Sequence, residues 1–78
     1  MTEIELLTAD GCSLCVQARD MVEQAAPWVR IRAVDVAADE DLIQTWGARI
    51  PVLRHGERTL EWPFSLLDIQ GFIEDSSK

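Results

Sequence analysis

Apolar and polar positions sort this chain into seven short elements. Ile4, Leu6 and Leu7 within Glu3 to Thr8 predict a first strand. Ala9-Asp10-Gly11 breaks it. From Ser13, apolar residues recur at three- and four-residue steps (Leu14, Ala18, Met21, Val22, Ala25), which predicts a helix. Pro27 ends it, because a proline pushes the residue before it out of helical geometry. Trp28 to Val36 alternates, with Val29 and Ile31 opposite Arg30 and Arg32, as a half-buried strand does.

Asp39-Glu40-Asp41 suits the positive end of a helix dipole and opens a second helix. Leu42, Ile43 and Trp46 supply its apolar face, and Gly47 stops it. Pro51 to His55 and Arg58 to Trp62 read as a hairpin around the two-residue turn Gly56-Glu57. Ser65, with Asp68 three residues on, is a capping-box variant. Leu66, Leu67, Ile69, Phe72 and Ile73 form the apolar face of a last helix, and the polar tail from Glu74 to Lys78 is expected to fray. The order β-α-β-α-β-β-α makes this an α/β chain. Its first two strands should be parallel with a right-handed crossover, and the closing hairpin makes a four-stranded mixed sheet flanked by helices.

Length narrows the picture to one domain over residues 1–78, because 78 residues fall below the usual size of even a single domain. A chain this short buries only about 60–65% of the surface its unfolded form exposes. Nearly all of its 47% apolar residues are therefore needed for the core, and no large enclosed active site fits. No apolar run is long enough for a membrane span. The start, with Glu3 and Glu5 and no basic residue, does not read as a secretory signal. Fourteen acidic residues against seven basic ones give a net charge of −7. That balance argues against nucleic acid and anionic membrane surfaces as partners, since phosphate contacts need clustered Lys and Arg. The expectation is a cytoplasmic monomer kept apart from its neighbours by charge.

The chemistry lies in Gly11-Cys12-Ser13-Leu14-Cys15. As a staple the pair would be poor, because closing so short a loop contributes only about 2 kcal/mol in the chain-entropy model. Cys12 falls at the start of the first helix, where free backbone N–H groups and the helix dipole favour a thiolate. Cys15, one turn along, can attack a mixed disulfide formed at Cys12 and release the product. Cys12 should then be the more exposed sulfur and Cys15 the more buried. Asp10 opposes charge on Cys12, Arg49 is within reach of the site from the loop before Pro51, and the sequence leaves the net sign open. Two other readings stay open: inert buried cysteines, and a metal shared between two chains. The one histidine, His55, and two cysteines cannot complete a zinc site within a monomer.

This strand, CxxC turn and helix, followed by Arg49-Ile50-Pro51-Val52-Leu53 and a glycine-turn hairpin, resemble the thioredoxin fold, and within it the small glutaredoxin-like proteins. The resemblance implies a thiol–disulfide oxidoreductase with Cys12 as nucleophile and Cys15 as resolving cysteine. It also implies a cis Pro51 facing the disulfide. Gly11, Ser13, Leu14, Ile50 and Pro51 become substrate-binding positions, with the backbone of Ile50 pairing with an extended substrate segment. The partners implied are a disulfide-containing protein or a low-molecular-weight thiol, together with a reductase. No metal is implied, and no cofactor beyond glutathione as an electron donor. The runner-up is a thioredoxin-fold binding module that docks a partner, or holds a metal between chains, through the same cysteines.

The chain departs from the glutaredoxin pattern at several points. Ser13 stands where a proline is usual, and Ala9-Asp10-Gly11 offers no basic residue before Cys12. The Gly-Gly pair and Asp that hold glutathione are replaced by Glu61-Trp62-Pro63-Phe64-Ser65. Leu6 stands where thioredoxins carry a buried acid. Trp28, Trp46 and Trp62 are expected to pack, and His55 to be a solvated hairpin residue.

Overall fold

The computed structural model describes residues 2–76. Among these residues the elements are β1 (Glu3–Thr8), α1 (Ser13–Ala25), β2 (Arg30–Asp35), α2 (Glu40–Trp46), β3 (Val52–His55), β4 (Arg58–Glu61) and α3 (Leu66–Ser76). A 3-10 turn over Val36–Ala38 joins β2 to α2. The sheet order is β2-β1-β3-β4. β1 runs parallel to β2 and antiparallel to β3, and β4 is antiparallel to β3. This is the α/β, thioredoxin-like arrangement that the resemblance implies.

Strand alternation splits the core in two. Ile4, Leu6 and Leu53 are buried on one face, against Ala18 and Val22 of α1 and Ile69, Phe72 and Ile73 of α3. Leu7 and Val52 point the other way, where Val36 is buried with them and Leu42, Trp46 and Ile50 pack partly buried. The sheet thus carries α1 and α3 on one side and α2 on the other. Phe64, in the loop before α3, completes the larger half. It is buried and meets Trp62 edge-on, with ring centroids 5.1 Å apart.

Local chemistry sets the element ends. Asp39 caps α2, its Oδ1 accepting the N–H groups of Asp41 at 2.9 Å and Leu42 at 3.3 Å. Ser65 and Asp68 close a reciprocal box at the start of α3: Ser65 N–H donates to Asp68 Oδ2 at 2.9 Å, and Asp68 N–H donates to Ser65 Oγ at 3.1 Å. In the hairpin, Gly56 takes φ 61° while Glu57 stays at negative φ, which is the type II′ pattern.

Several expectations are corrected. The second strand is shorter than Trp28 to Val36. Val29 N–H donates to Ala26 O at 3.0 Å and folds Trp28 into a turn, while Asp35 caps the 3-10 turn that takes Val36. Trp28 is 63% exposed and does not pack, whereas Trp46 and Trp62 are half-buried against the two core halves. Leu14 is exposed, because the inward positions of α1 run Cys15, Ala18, Val22 and Ala25. Ile43, Leu66 and Leu67 are also exposed. Pro51 and Trp62 flank β3 and β4 instead of joining them. The expected fraying from Glu74 is not seen as far as Ser76, where α3 ends; Ser77 and Lys78 lie outside the described residues.

Candidate active site

β1 delivers the site. It is one of the two inner strands, paired with β2 and β3, and the chain leaves its carboxyl end through Gly11, which has φ 77°. That left-handed turn costs glycine little and other residues about 1–2 kcal/mol. It sets Cys12 as the N-cap of α1, held by its own N–H to Ala9 O at 3.3 Å.

Cys12 and Cys15 are joined by a disulfide, with Cα atoms 5.3 Å apart. The N–H of Cys15 donates to Cys12 Sγ at 3.2 Å. Thus one of the unpaired donors of the first helical turn is aimed at the sulfur expected to carry charge. Cys12 is half-exposed and Cys15 is only 4% exposed. Cys12 is thus the more exposed residue of the pair and Cys15 the more buried, the asymmetry expected from the sequence.

The site residues named from the sequence separate into two groups. Gly11, Cys12, Ser13 and Cys15 line one groove, of about 440 Å³, between α1 and the edge strand β2. Leu14, Ile50 and Pro51 do not line it. Pro51 is fully buried and follows a cis Ile50–Pro51 bond. It sits one residue beyond the Leu7–Val52 pair, at the same end of β1 as the cysteine turn. A second cis bond, Trp62–Pro63, lies alongside, where Trp62 N–H donates to Pro51 O at 3.2 Å. Ile50 N–H donates to Trp46 O at 3.1 Å, so one of the two backbone groups expected to meet an extended substrate is already engaged.

Arg49 does not line the groove of the cysteines. Its guanidinium lies over the Trp46 ring, 5.6 Å from the centroid, and its Nε is 3.8 Å from Glu61. The cation that lines the groove with both cysteines is Arg19, a residue not among the candidates drawn from the sequence. Its signal was present: Arg19 stands four residues after Cys15, on the same face of α1. His55 sits at the far end of β3, beside the hairpin turn.

Comparison with known proteins places this architecture. Residues 3–74 match the family model described as Glutaredoxin-like domain (DUF836). The chain belongs to this glutaredoxin-like domain family. The X-ray structure of the structural-genomics target protein XcR50 from X. campestris is 32% identical, with TM-score 0.83, over 92% of this chain and 96% of that one. The solution structure of XcR50 is likewise 32% identical, with TM-score 0.82, over 96% of this chain and 95% of that one. A structure described as a malarial protein shares the fold at 15% identity and TM-score 0.62, over 97% of this chain and 98% of that one. No curated protein matches the chain. The CxxC disulfide at the start of α1 fits a redox role for this glutaredoxin-like domain. Among its described residues no helix is long and apolar enough to cross a membrane.

Proposed function

We propose that this glutaredoxin-like domain is a thiol–disulfide oxidoreductase cycling between the Cys12–Cys15 disulfide and the dithiol. One observation carries the reading: an accessible sulfur at a helix start is bridged to a buried sulfur one turn along. In the reduced form the Cys12 thiolate attacks a substrate disulfide and forms a mixed disulfide, releasing one thiol. Cys15 then loses its proton, attacks the Cys12 sulfur and releases the second thiol. The substrate gains two electrons and two protons, and the pair returns to the disulfide.

The partners in this reading are a disulfide-bearing protein or a low-molecular-weight disulfide, with a thiol or a reductase restoring the dithiol. It acts as a monomer in the cytoplasm, where a pair this close serves as a reaction centre instead of a staple. Glutathione has the weaker support as donor. Glu61–Ser65 lacks the Gly-Gly pair of the family pattern, and Asp68 itself takes the Ser65 N–H at the start of α3.

The test is equilibration across a series of thiol redox buffers, followed by trapping of free thiols and mass measurement. A two-electron midpoint in the wild type, with a mixed disulfide trapped in Cys15→Ser and none in Cys12→Ser, is the expected result. Thiols that stay free in every buffer would overturn the reading and favour a docking module built on the same cysteines.

A further inference from the structure

We propose that the outer edge of β2 is a docking site for an extended segment of another protein in which acidic and apolar residues alternate. The segment adds to the sheet as a further strand beside β2. The cysteines take no part, so this goes beyond the oxidoreductase reading and does not rest on it.

Three observations lead there. First, β2 offers free backbone. It ends the sheet order β2-β1-β3-β4, and no segment pairs with its outer side among the described residues. Arg30 N–H donates inward, to Thr2 O at 2.9 Å. Backbone polar groups alternate in direction along a strand, so the N–H and C=O groups of Ile31 and Ala33 face outward. Ala33 is exposed, and its small side chain leaves room for a neighbouring backbone.

Second, the two sides of this edge differ in chemistry. Val34 packs with Leu7 beneath α2, so the period of two places Arg30 and Arg32 on that same face. Both are exposed. Glu3 and Glu5 stand next to them in the β1 register, but Glu5 is held by Arg54 through two hydrogen bonds. Arg30 and Arg32 make no side-chain hydrogen bond or ion pair among the described residues. On the other face, Pro27, Val29 and Ile31 line a groove of about 340 Å³, with Arg19 and Glu23 at its α1 rim. Those two pair with each other at 3.6 Å, so the rim is balanced in charge and the β2 side is apolar.

Third, both sides fit one strand. In a segment laid along β2, side chains point alternately to the two faces. Acidic residues on the α2 face meet Arg30 and Arg32, and apolar residues on the other face cover Val29 and Ile31. Positive charge without a partner stands out in a chain of net charge −7. A second copy of the chain answers it poorly, because the α2 face of β2 carries Arg30, Arg32 and Val34 and no acid. Charge on an edge discourages indiscriminate strand pairing, and here it does so while selecting an acidic partner.

The experiment uses full-length, isotope-labelled protein in its oxidised form, so that cysteine exchange plays no part. The probe is the end-blocked peptide Glu-Val-Glu-Val-Glu-Val-Glu, and the control is Glu-Glu-Val-Val-Val-Glu-Glu. Nuclear magnetic resonance follows shifts and hydrogen exchange amide by amide. At saturation the alternating peptide is expected to slow exchange at Ile31 and Ala33 about tenfold, and the control to leave it unchanged. Arg30→Gln and Arg32→Gln should each weaken binding about threefold, and high salt should shrink that difference. Ala33→Pro removes an outward donor at an edge position, where proline is tolerated, and should abolish binding. Equal slowing by both peptides, or shifts at Arg30 and Arg32 without protection of Ile31 and Ala33, would reduce the edge to a charge attraction and overturn the proposal. So would an absence of binding. Protection that grows with protein concentration alone would make a second copy the occupant and overturn it too. None of these results touches the midpoint in thiol buffers, so the oxidoreductase reading stands or falls separately.

Discussion

The N–H of Cys15 donates to the sulfur of Cys12, so the buried member of the pair supports the accessible one through its backbone while its own sulfur stays covered. The two cysteines should therefore react very differently once reduced. In single-cysteine variants, Cys12 in Cys15→Ser should be alkylated by iodoacetamide at least about tenfold faster than Cys15 in Cys12→Ser. Stopped alkylation read by mass spectrometry gives both rates, and equal rates would contradict the asymmetry.

Gly11 precedes Cys12 in a left-handed conformation, φ 77°, with open space where a Cβ would lie. Gly11→Ala meets backbone strain alone, with no steric clash. It should cost about 1–2 kcal/mol in urea unfolding. The oxidation rate of Cys12 should fall with it, because the turn that places the cap is the part that shifts.

Glu5 and Arg54 face each other across β1 and β3 and form a two-point ion pair, Nε to Oε1 at 2.9 Å and Nη2 to Oε2 at 3.2 Å. The hydrogen bond from Arg54 is the main cause holding the Glu5 carboxyl below its ordinary 4.5, and the same pair raises Arg54. For a carboxylate with a depressed folded pKa, stability is fully present above the unfolded value and is lost as pH falls through the folded one. Glu5→Gln should cost about 1 kcal/mol near neutrality. Its deficit against wild type should close as the pH drops below 4.5, which chemical unfolding at several pH values would show.

Leu67 and Ile69 both read as apolar-face residues, yet Leu67 is 78% exposed and Ile69 is fully buried. Ile69→Ala should destabilise by about 2–5 kcal/mol, and Leu67→Ala should stay within about 0.5 kcal/mol. Thermal or urea melts of the two variants separate them directly.

Much of this fold was legible because its elements are short and sharply bounded. Ile4 and Leu6 alternate with Glu3 and Glu5, Asp39 announces α2, and Gly56-Glu57 announces the hairpin. What was misread depends on direction around an element. Two residues of a helix are separated by roughly 200°, so Leu67 points away from the face that Ile69 buries. Leu14 is apolar and fits the helical spacing, yet it lies one position before Cys15, which takes the inward place on α1. The candidate site is legible at Cys12 and Cys15, whose type and spacing already mark the pair that the structure joins in a disulfide. The place of Arg19 in the same groove is not legible, because it depends on which strand flanks α1. That is a matter of sheet order, and no local pattern contains it.

The central place of β1 has a dynamic consequence. Its amides are bonded on two sides and its Ile4, Leu6 and Leu7 are buried, so it belongs to the region that opens only with the whole molecule. β2 and β4, each with one free edge, can exchange their amides through smaller openings. The cysteine turn thus hangs from one of the two inner strands, β1 and β3, whose amides should exchange slowest. Making and breaking the disulfide is a local event on a frame that stays closed, and deuterium uptake in β1 should be nearly the same in the oxidised and reduced protein.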